Sequence, residues 1–253
     1  MRRIGRKSEG SWTSQNLSPL RHKISVDAYY LGIARKNATD NRGTANELRH
    51  SLGARLGRPI QEKEGGWDFD YEGVSQFGSF GSANIRAWTF ASETGNSVPT
   101  LPLKPRFSLR SEISSGDNPT TPTLGTFFPM FPIGNYFGVI ADTGPGPMNF
   151  IDAHPRIQTV FPHGVSVMTD LVLYWRNSVY DGVYNVPDSL IRPADGSLAR
   201  FVGYRPGVEV HWQIDRHAYL QGDYGIFYAG KFLRETMPGQ NLNYLAFWAG
   251  YKF

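Results

Sequence analysis

Seven arginines lie on the polar sides of alternating segments in this 253-residue chain, and they are the side chains best suited to chemistry. A guanidinium stays charged at any relevant pH and binds a carboxylate through a planar, two-pronged contact. A ladder of such groups would attract a solute that carries carboxylates, provided that no single site holds it too tightly. The candidate solute-binding residues are Arg49, Arg55, Arg86, Arg106, Arg110, Arg176 and Arg205.

Acidic side chains share these polar sides and allow a second interpretation. An arginine and a carboxylate that face each other on neighbouring strands form an ion pair that braces the sheet. Eight acids stand against the seven arginines, so each arginine either pairs with an acid or contacts a solute, and no excess of positive charge is evident. The acids predicted to be partners are Asp68, Asp70, Glu72, Glu112 and Asp170, with Asp27, Glu209 and Asp223 on the same faces.

Catalytic and metal chemistry have weaker support. Asp68, Asp70 and Glu72 could serve a calcium site or a glycosidase, but spacing by two is what any strand with one acidic face produces. The histidines lack the paired spacing of a zinc site, cysteine is absent, and no G-x-S-x-G, phosphate-binding or dinucleotide-binding motif occurs. We therefore expect no enzyme activity, no metal and no cofactor.

The net charge of +4 does not indicate a nucleic-acid partner. Arg2, Arg3, Arg6 and Lys7 lie in the first seven residues, which leaves 22 basic and 22 acidic side chains in the rest of the chain. Binding to nucleic acid needs a basic patch on the folded body. Aromatic residues make up 14% of the chain, which excludes a disordered protein because disordered chains are poor in them.

Ten segments of alternating apolar and polar residues must position these side chains. Alternation with a period of two is typical of β-strands, and glycine, proline, asparagine and aspartate fill the connections. Helical periodicity is scarce, so we expect an all-β protein. The predicted strands span residues 22–36, 47–57, 67–78, 82–91, 104–114, 154–161, 164–177, 200–214, 217–232 and 241–253.

Several features indicate that these strands cross a membrane. Many are longer than the ~5–6 residues usual in soluble sheets, and aromatic residues gather on their apolar faces, as in the girdles of membrane barrels. The last segment ends in an apolar row through Tyr251 and Phe253, which resembles the terminal strand that the outer-membrane assembly machinery recognises. We predict an antiparallel up-and-down transmembrane β-barrel in the bacterial outer membrane.

The connections are consistent with this architecture. The two longest, 115–153 and 178–199, fall on the same side of an antiparallel meander, as the extracellular loops of membrane barrels do. The first of them is rich in proline and aromatic residues and is predicted to fold back and constrict the pore. Residues 1–20 are predicted to be a polar, poorly ordered leader without a signal peptide, and residues 21–253 the barrel domain.

Several stretches together resemble the alginate-export family of outer-membrane porins. The most specific are the FFPMFP and YFG pieces of LGTFFPMFPIGNYFG (124–138) and the sequence YWRNSVYDGVY (174–184). The others are VDAYYLGIARK (26–36), RHSLGARL (49–56), GWDFDYEGVSQFG (66–78), SGDN (115–118) and DRH with FYAGKFL (215–233).

This resemblance implies a channel, embedded in the lipid bilayer, that passes an anionic polysaccharide such as alginate or another anionic solute. Better-known members of the family look like eighteen-stranded barrels, so about ten strands would make this chain the C-terminal portion of such a barrel or a reduced one. Two alternatives stay open: a β-rich surface carbohydrate-binding module and, with less support, a barrel enzyme. An exposed apolar terminal strand argues against the first because it would promote aggregation of a soluble protein.

Overall fold

The computed structural model describes residues 24–130, 145–186 and 189–253 and consists almost entirely of β-strands. The predicted leader, residues 1–20, lies outside the described residues, as do residues 131–144 of the long loop. The long strands are β1 (Ser25–Asp40), β2 (Gly43–Arg58), β3 (Gly66–Phe80), β4 (Ala83–Ser97), β5 (Arg106–Ser114), β7 (Phe150–Val160), β8 (Val165–Arg176), β11 (Phe201–Gln213), β12 (Ala218–Ala229) and β13 (Leu242–Tyr251).

The loops contain the remaining elements. Strand β6 (Thr123–Leu124) pairs in parallel with β4, and β9 (Val183–Tyr184) pairs with β10 (Leu190–Arg192) as a small separate hairpin. One short helix, α1 (Lys231–Glu235), connects β12 to β13. No helix in the described part of the chain has the length and apolar character needed to cross a membrane.

The ten long strands form one antiparallel meander in the order β1-β2-β3-β4-β5-β7-β8-β11-β12-β13. Each pairs with its neighbour along the chain, and the first hairpin closes tightly because Asp40 pairs with Gly43 across a turn of two residues. Gly43 has a φ of +111°, a conformation that residues with a side chain rarely adopt. The predicted ten-strand antiparallel architecture is confirmed, and among the described pairings β1 and β13 are the two edges of the sheet.

Strand pairing separates the sheet into two chemically different faces. The inner face, as we call the side that carries Arg49, Asp68, Arg106, Asp170 and Arg205, contains the buried charged residues. The outer face is apolar and exposed over its whole width. It includes Leu52, Trp67, Phe90, Phe107, Leu109, Trp212, Tyr224, Leu245 and Phe247. An exposed apolar surface of this extent is typical of a lipid-facing barrel wall.

The long loops fold inward and produce the apolar cores of the molecule. In the first core, Leu124 and Phe127 of the loop after β5 pack against Phe80, Ile85 and Ala87 at the ends of β3 and β4. In the second core, the loop residue Val183 and Phe232 of α1 pack on residues of β7, β8 and β11. Both cores lie at the end of the sheet where β5, β8 and β12 finish, because the connections of a meander alternate between its two ends.

Candidate functional site

A ladder of ion pairs crosses the inner face and contains most of the predicted site residues. Arg106 on β5 reaches across β4 to Asp68 on β3, with Nη2 2.5 Å from Oδ1, and it also donates to Glu93 at 3.0 Å. Arg156 on β7 binds the same Glu93 at 2.5 Å. The side chains of Asp68 and Arg106 are 10% exposed or less, so these charges stabilise each other away from bulk water.

A second cluster joins β7, β8, β11, β12 and β13. Asp170 accepts a close hydrogen bond from Arg205 and lies 2.7 Å from Nε2 of His154. Arg205 also donates to the hydroxyl of Tyr244 and lies 3.9 Å from Asp223. Each buried charge in this cluster therefore has a partner of opposite sign or a hydrogen bond, as burial requires.

The third cluster lies beneath the long loop. Glu47 is bound by Arg35 at 2.5 Å and by Arg49 at 2.7 Å. Arg49 also donates to the side chain of Gln76 at 2.7 Å and to the carbonyl oxygen of Thr126 at 3.1 Å. Only 2% of Arg49 is exposed, so it connects the wall to the loop and is closed to a solute.

Two of the predicted arginines are accessible from the inner side. Arg55 forms a two-pronged pair with Asp70, and the side chains are 52% and 44% exposed. Arg110 is partly exposed and lies opposite His154. The exposed Arg55–Asp70 pair contributes only about 0–1 kcal/mol to stability, so the guanidinium of Arg55 can exchange partners.

Two other predicted arginines are not accessible from the inner side, one because it lies on the outer face and one because it is buried. Arg86 lies opposite Phe77 on the outer face, in the same row as Trp88 and Phe90. Arg176 is completely buried and donates to the carbonyl oxygens of residues 179, 181, 197 and 199, while its guanidinium lies 3.8 Å from the centre of the Phe232 ring. Arg176 therefore organises the loop of residues 177–200 and does not line an open channel.

The remaining predicted acids accept hydrogen bonds from neutral groups. Glu72 is bound by the hydroxyl of Tyr29. Glu112 is buried and accepts from Ser114 at 2.9 Å and Thr89 at 3.1 Å. Three of the five predicted acids, Asp68, Asp70 and Asp170, contact arginines that were predicted with them.

Sequence reasoning missed four charged members of the ladder. Arg35, Glu47, Glu93 and Arg156 occupy the inner face at the same alternating spacing as the residues that were singled out. The period-two pattern was the signal that could have identified them.

By register, twelve acids and eight arginines lie on the inner faces of the described strands. The acids are Asp27, Asp40, Glu47, Asp68, Asp70, Glu72, Glu93, Glu112, Asp152, Asp170, Glu209 and Asp223, and the arginines are Arg35, Arg49, Arg55, Arg106, Arg110, Arg156, Arg176 and Arg205.

A buried polar network locks the loops over one end of this face. Asp117 binds Arg42 of the first turn through both oxygens, at 2.6 and 2.8 Å. Asp181 is fully buried and accepts from the backbone N–H of Asp117 at 2.7 Å and from the hydroxyls of Thr126 and Tyr184, both at 2.7 Å. Burial raises the pKa of Asp181, and the hydrogen bond from Arg42 to Asp117 raises the pKa of Arg42.

The long loop lies directly on the inner face, as its composition predicted. The side-chain amide of Gln76 donates to the carbonyl oxygen of Phe128 at 2.7 Å and accepts from the N–H of Phe128 at 2.9 Å. The Phe128 ring lies 4.3 Å from the guanidinium carbon of Arg35 and 5.5 Å from that of Arg49. Residues 115–130 therefore fold back onto the wall, whereas control of the pore by this loop stays a prediction.

The terminal strand has the face assignment that the sequence indicated. Tyr251 is 63% exposed, and Phe253 beyond the strand is fully exposed. Leu245, Phe247 and Tyr251 share the outer face, which leaves an apolar row at this edge of the sheet. The function of this row as an assembly signal stays a prediction.

The inner face of the sheet is a wall of paired charges. Across residues 24–130, 145–186 and 189–253, no group of three or more histidine and acidic side chains is placed to hold a metal ion. The arrangement can offer a passing solute guanidinium groups, carboxylates and aromatic rings on a rigid sheet.

Comparison with known proteins agrees with the fold and with the motifs in the loops. No curated protein matches the chain. The family model described as "Alginate export" matches residues 10–247. This range contains nine of the ten long strands in full, most of β13, and the buried polar network of the loops. The chain belongs to the alginate export family of outer-membrane channels.

Proposed function

We propose that residues 21–253 form one outer-membrane barrel through which an anionic polysaccharide, alginate or a similar polyuronate, or a small anion passes passively. The observation that carries this proposal is the ladder of arginine–carboxylate pairs on the inner face of a sheet whose outer face is apolar. Membership of the alginate export family supports the same substrate class. The exposed outer face disfavours the alternative of a soluble carbohydrate-binding module.

Paired arginines suit transport better than unpaired ones. A guanidinium that already shares its charge with a carboxylate attracts a uronate weakly, so the solute can bind and leave. Buried pairs such as Arg106–Asp68 hold the wall, because removing one partner would leave an uncompensated charge. The accessible Arg55 and Arg110 are therefore our candidates for direct solute contact.

Acids outnumber arginines on the inner face, so a preference for anions over cations cannot come from the total charge of this face. Twelve carboxylates against eight arginines do not create a uniformly positive lumen. Anion preference would instead depend on where the accessible guanidinium groups lie along the path. Substitution of individual accessible arginines should therefore change the anion preference of the channel.

Reversing the charge at two accessible positions should lower the preference for anions. In the double variant Arg55→Glu with Arg110→Glu, we expect the ratio of anion to cation permeability to fall several-fold, since charges in a confined space are poorly screened. The measurement is the reversal potential of the reconstituted full chain in a salt gradient.

The matched control is Arg86→Glu, which makes the same charge change on the outer face. We expect it to leave the reversal potential unchanged. An equal shift in the control, or none in the double variant, would show that Arg55 and Arg110 only brace the wall.

Changing Phe253 to aspartate should strongly reduce the amount of protein assembled in the outer membrane. The fully exposed ring continues the apolar row of β13, and we infer that the assembly machinery binds this row. Lys252→Asp is the control, and assembly is measured by membrane fractionation and heat-modifiable gel mobility. Equal assembly of the two variants would contradict an assembly role for Phe253.

A further inference from the structure

Three tyrosines of the inner face place the hydroxyl-bearing ends of their rings over glycines of neighbouring strands. Tyr29 of β1 covers Gly53 of β2, and Tyr244 of β13 covers Gly225 of β12. Tyr219 of β12 covers Gly250 of β13 in the same way. A Cβ atom placed on Gly225 would lie 2.7 Å from Cε1 of Tyr244, and one placed on either of the other glycines would overlap the facing ring. The missing side chain is therefore what allows each ring to rest on the sheet.

Hydrogen bonds fix two of these rings at their edges. The hydroxyl of Tyr29 donates to Glu72. The hydroxyl of Tyr244 donates to Asp223 at 2.9 Å and accepts from Arg205. The Tyr219 ring stacks with the His211 ring, with ring centres 5.4 Å apart and 25° between the planes.

All three tyrosines are partly exposed on the inner side of the sheet. The His211 ring stacks with Tyr219, and the guanidinium of Arg205 lies 5.8 Å from the centre of the Tyr244 ring, so the remaining ring surface is what a ligand can contact. A ring that is held in place loses little conformational freedom when it binds a ligand. Such a surface matches the apolar C–H face of a pyranose ring, while the neighbouring carboxylates and guanidinium can bind its hydroxyl and carboxyl groups.

The spacing of the tyrosines fits a chain of sugars better than a single sugar. Tyr244 lies opposite Gly225, six residues along β12 from Tyr219. At about 3.3 Å per residue, this separates the two rings by roughly 20 Å along the strand. One monosaccharide can contact one ring at a time, whereas an oligosaccharide can contact both.

The geometry points to Tyr29, Tyr219 and Tyr244 as stacking platforms that bind the pyranose rings of a polysaccharide during its passage. The inference rests on the proposed transport function and adds a basis for selecting sugar chains over other polyanions. Arginines recognise the charge of the solute, whereas the tyrosines recognise its rings. Neutral oligosaccharides should therefore also bind at the tyrosines, with lower affinity than oligouronates.

The competing explanation is purely structural, because an aromatic ring over a glycine also stabilises a strand pair. The two explanations differ in what Tyr→Phe and Tyr→Leu substitutions do to sugar binding. Phenylalanine keeps the flat ring, whereas leucine keeps apolar bulk without it. Thermal unfolding of each variant in detergent shows separately how much strand stability has changed.

The experiment records single-channel current through the full chain in planar bilayers, with an oligomannuronate and a neutral malto-oligosaccharide as probes. We expect Tyr244→Leu and Tyr29→Leu to shorten the residence time of both sugars about two- to tenfold, as the loss of one aromatic contact implies. Tyr→Phe variants should retain most of the wild-type residence time. Tyr224→Leu, on the outer face, is the matched control and should change nothing.

The outcomes separate this inference from the transport proposal. If the oligomannuronate blocks the current and the leucine variants behave like wild type, the platforms are refuted and the transport function stands. If leucine lowers thermal stability and leaves residence times unchanged, the tyrosines are structural only. If neither sugar interrupts the wild-type current, both proposals are overturned.

Discussion

Replacing Arg176 by glutamine should release the loop of residues 177–200 and destabilise the folded chain by about 3 kcal/mol or more. The guanidinium is fully buried and donates to the carbonyl oxygens of Val179, Asp181, Ser197 and Ala199. Glutamine is too short to reach all of them and would leave buried carbonyl groups without donors. The measurements are the unfolding temperature in detergent and the rate of proteolysis within the loop.

The control for this prediction is Arg200→Gln. Arg200 is exposed and donates to backbone carbonyl oxygens at the start of the same loop. We expect its loss to cost under about 1 kcal/mol, as for most surface substitutions. If both variants resist heat and protease equally, Arg176 does not organise the loop, and our structural interpretation of this arginine is wrong.

Replacing Gln76 by leucine should free the long loop from the inner face and raise the conductance of the channel. The side-chain amide of Gln76 pairs with both backbone groups of Phe128 and accepts from Arg49. Leucine has nearly the same volume but leaves these groups unsatisfied, at about 1–3 kcal/mol each. Every 1.4 kcal/mol changes the ratio of released to attached loop about tenfold, so the released state should become frequent.

Single-channel recording tests this expectation, with Gln158→Leu as the control. Gln158 lies on the inner face of β7, so the control makes the same substitution on the same wall. We expect a larger open current, or frequent steps to one, only in Gln76→Leu. An unchanged current would mean that residues 126–128 do not narrow the path, and that any constriction lies elsewhere.

Much of the fold could be predicted because a transmembrane sheet imposes a strict period on its sequence. Alternation identified ten strands, and the structure contains ten long strands at corresponding positions. The bounds differ where β1 and β2 extend to their tight turn, where β4 continues to Ser97, and where α1 replaces the end of the predicted strand 217–232. The same alternation assigned Arg55, Arg106, Arg110 and Arg205 to the inner face. The apolar row of the last strand could also be predicted, because Phe247 and Tyr251 are an even number of residues apart and therefore lie on the same face.

The position of Arg86 could not be predicted from local polarity. Near the loop end of the sheet, the inner face of β4 carries Ile85 and Ala87, because Leu124 and Phe127 of the folded loop pack against them. The inner face of β4 is therefore apolar near the loop end of the sheet, whereas the inner face of a membrane barrel is usually polar. The reversal depends on a contact between residues about forty positions apart in the chain.

The sequence by itself determined the strands, the apolar outer surface and the family. The first two depend on the alternation of neighbouring residues, and the family depends on short motifs that can be recognised in the sequence alone. Only the tertiary structure decided which arginines are buried and which are exposed. Arg55 and Arg176 look alike in the sequence, yet one side chain is half exposed and the other is completely enclosed by its loop. Burial depends on which distant segments fold over a residue, and the inward folding of residues 115–130 and 177–186 fixed that here.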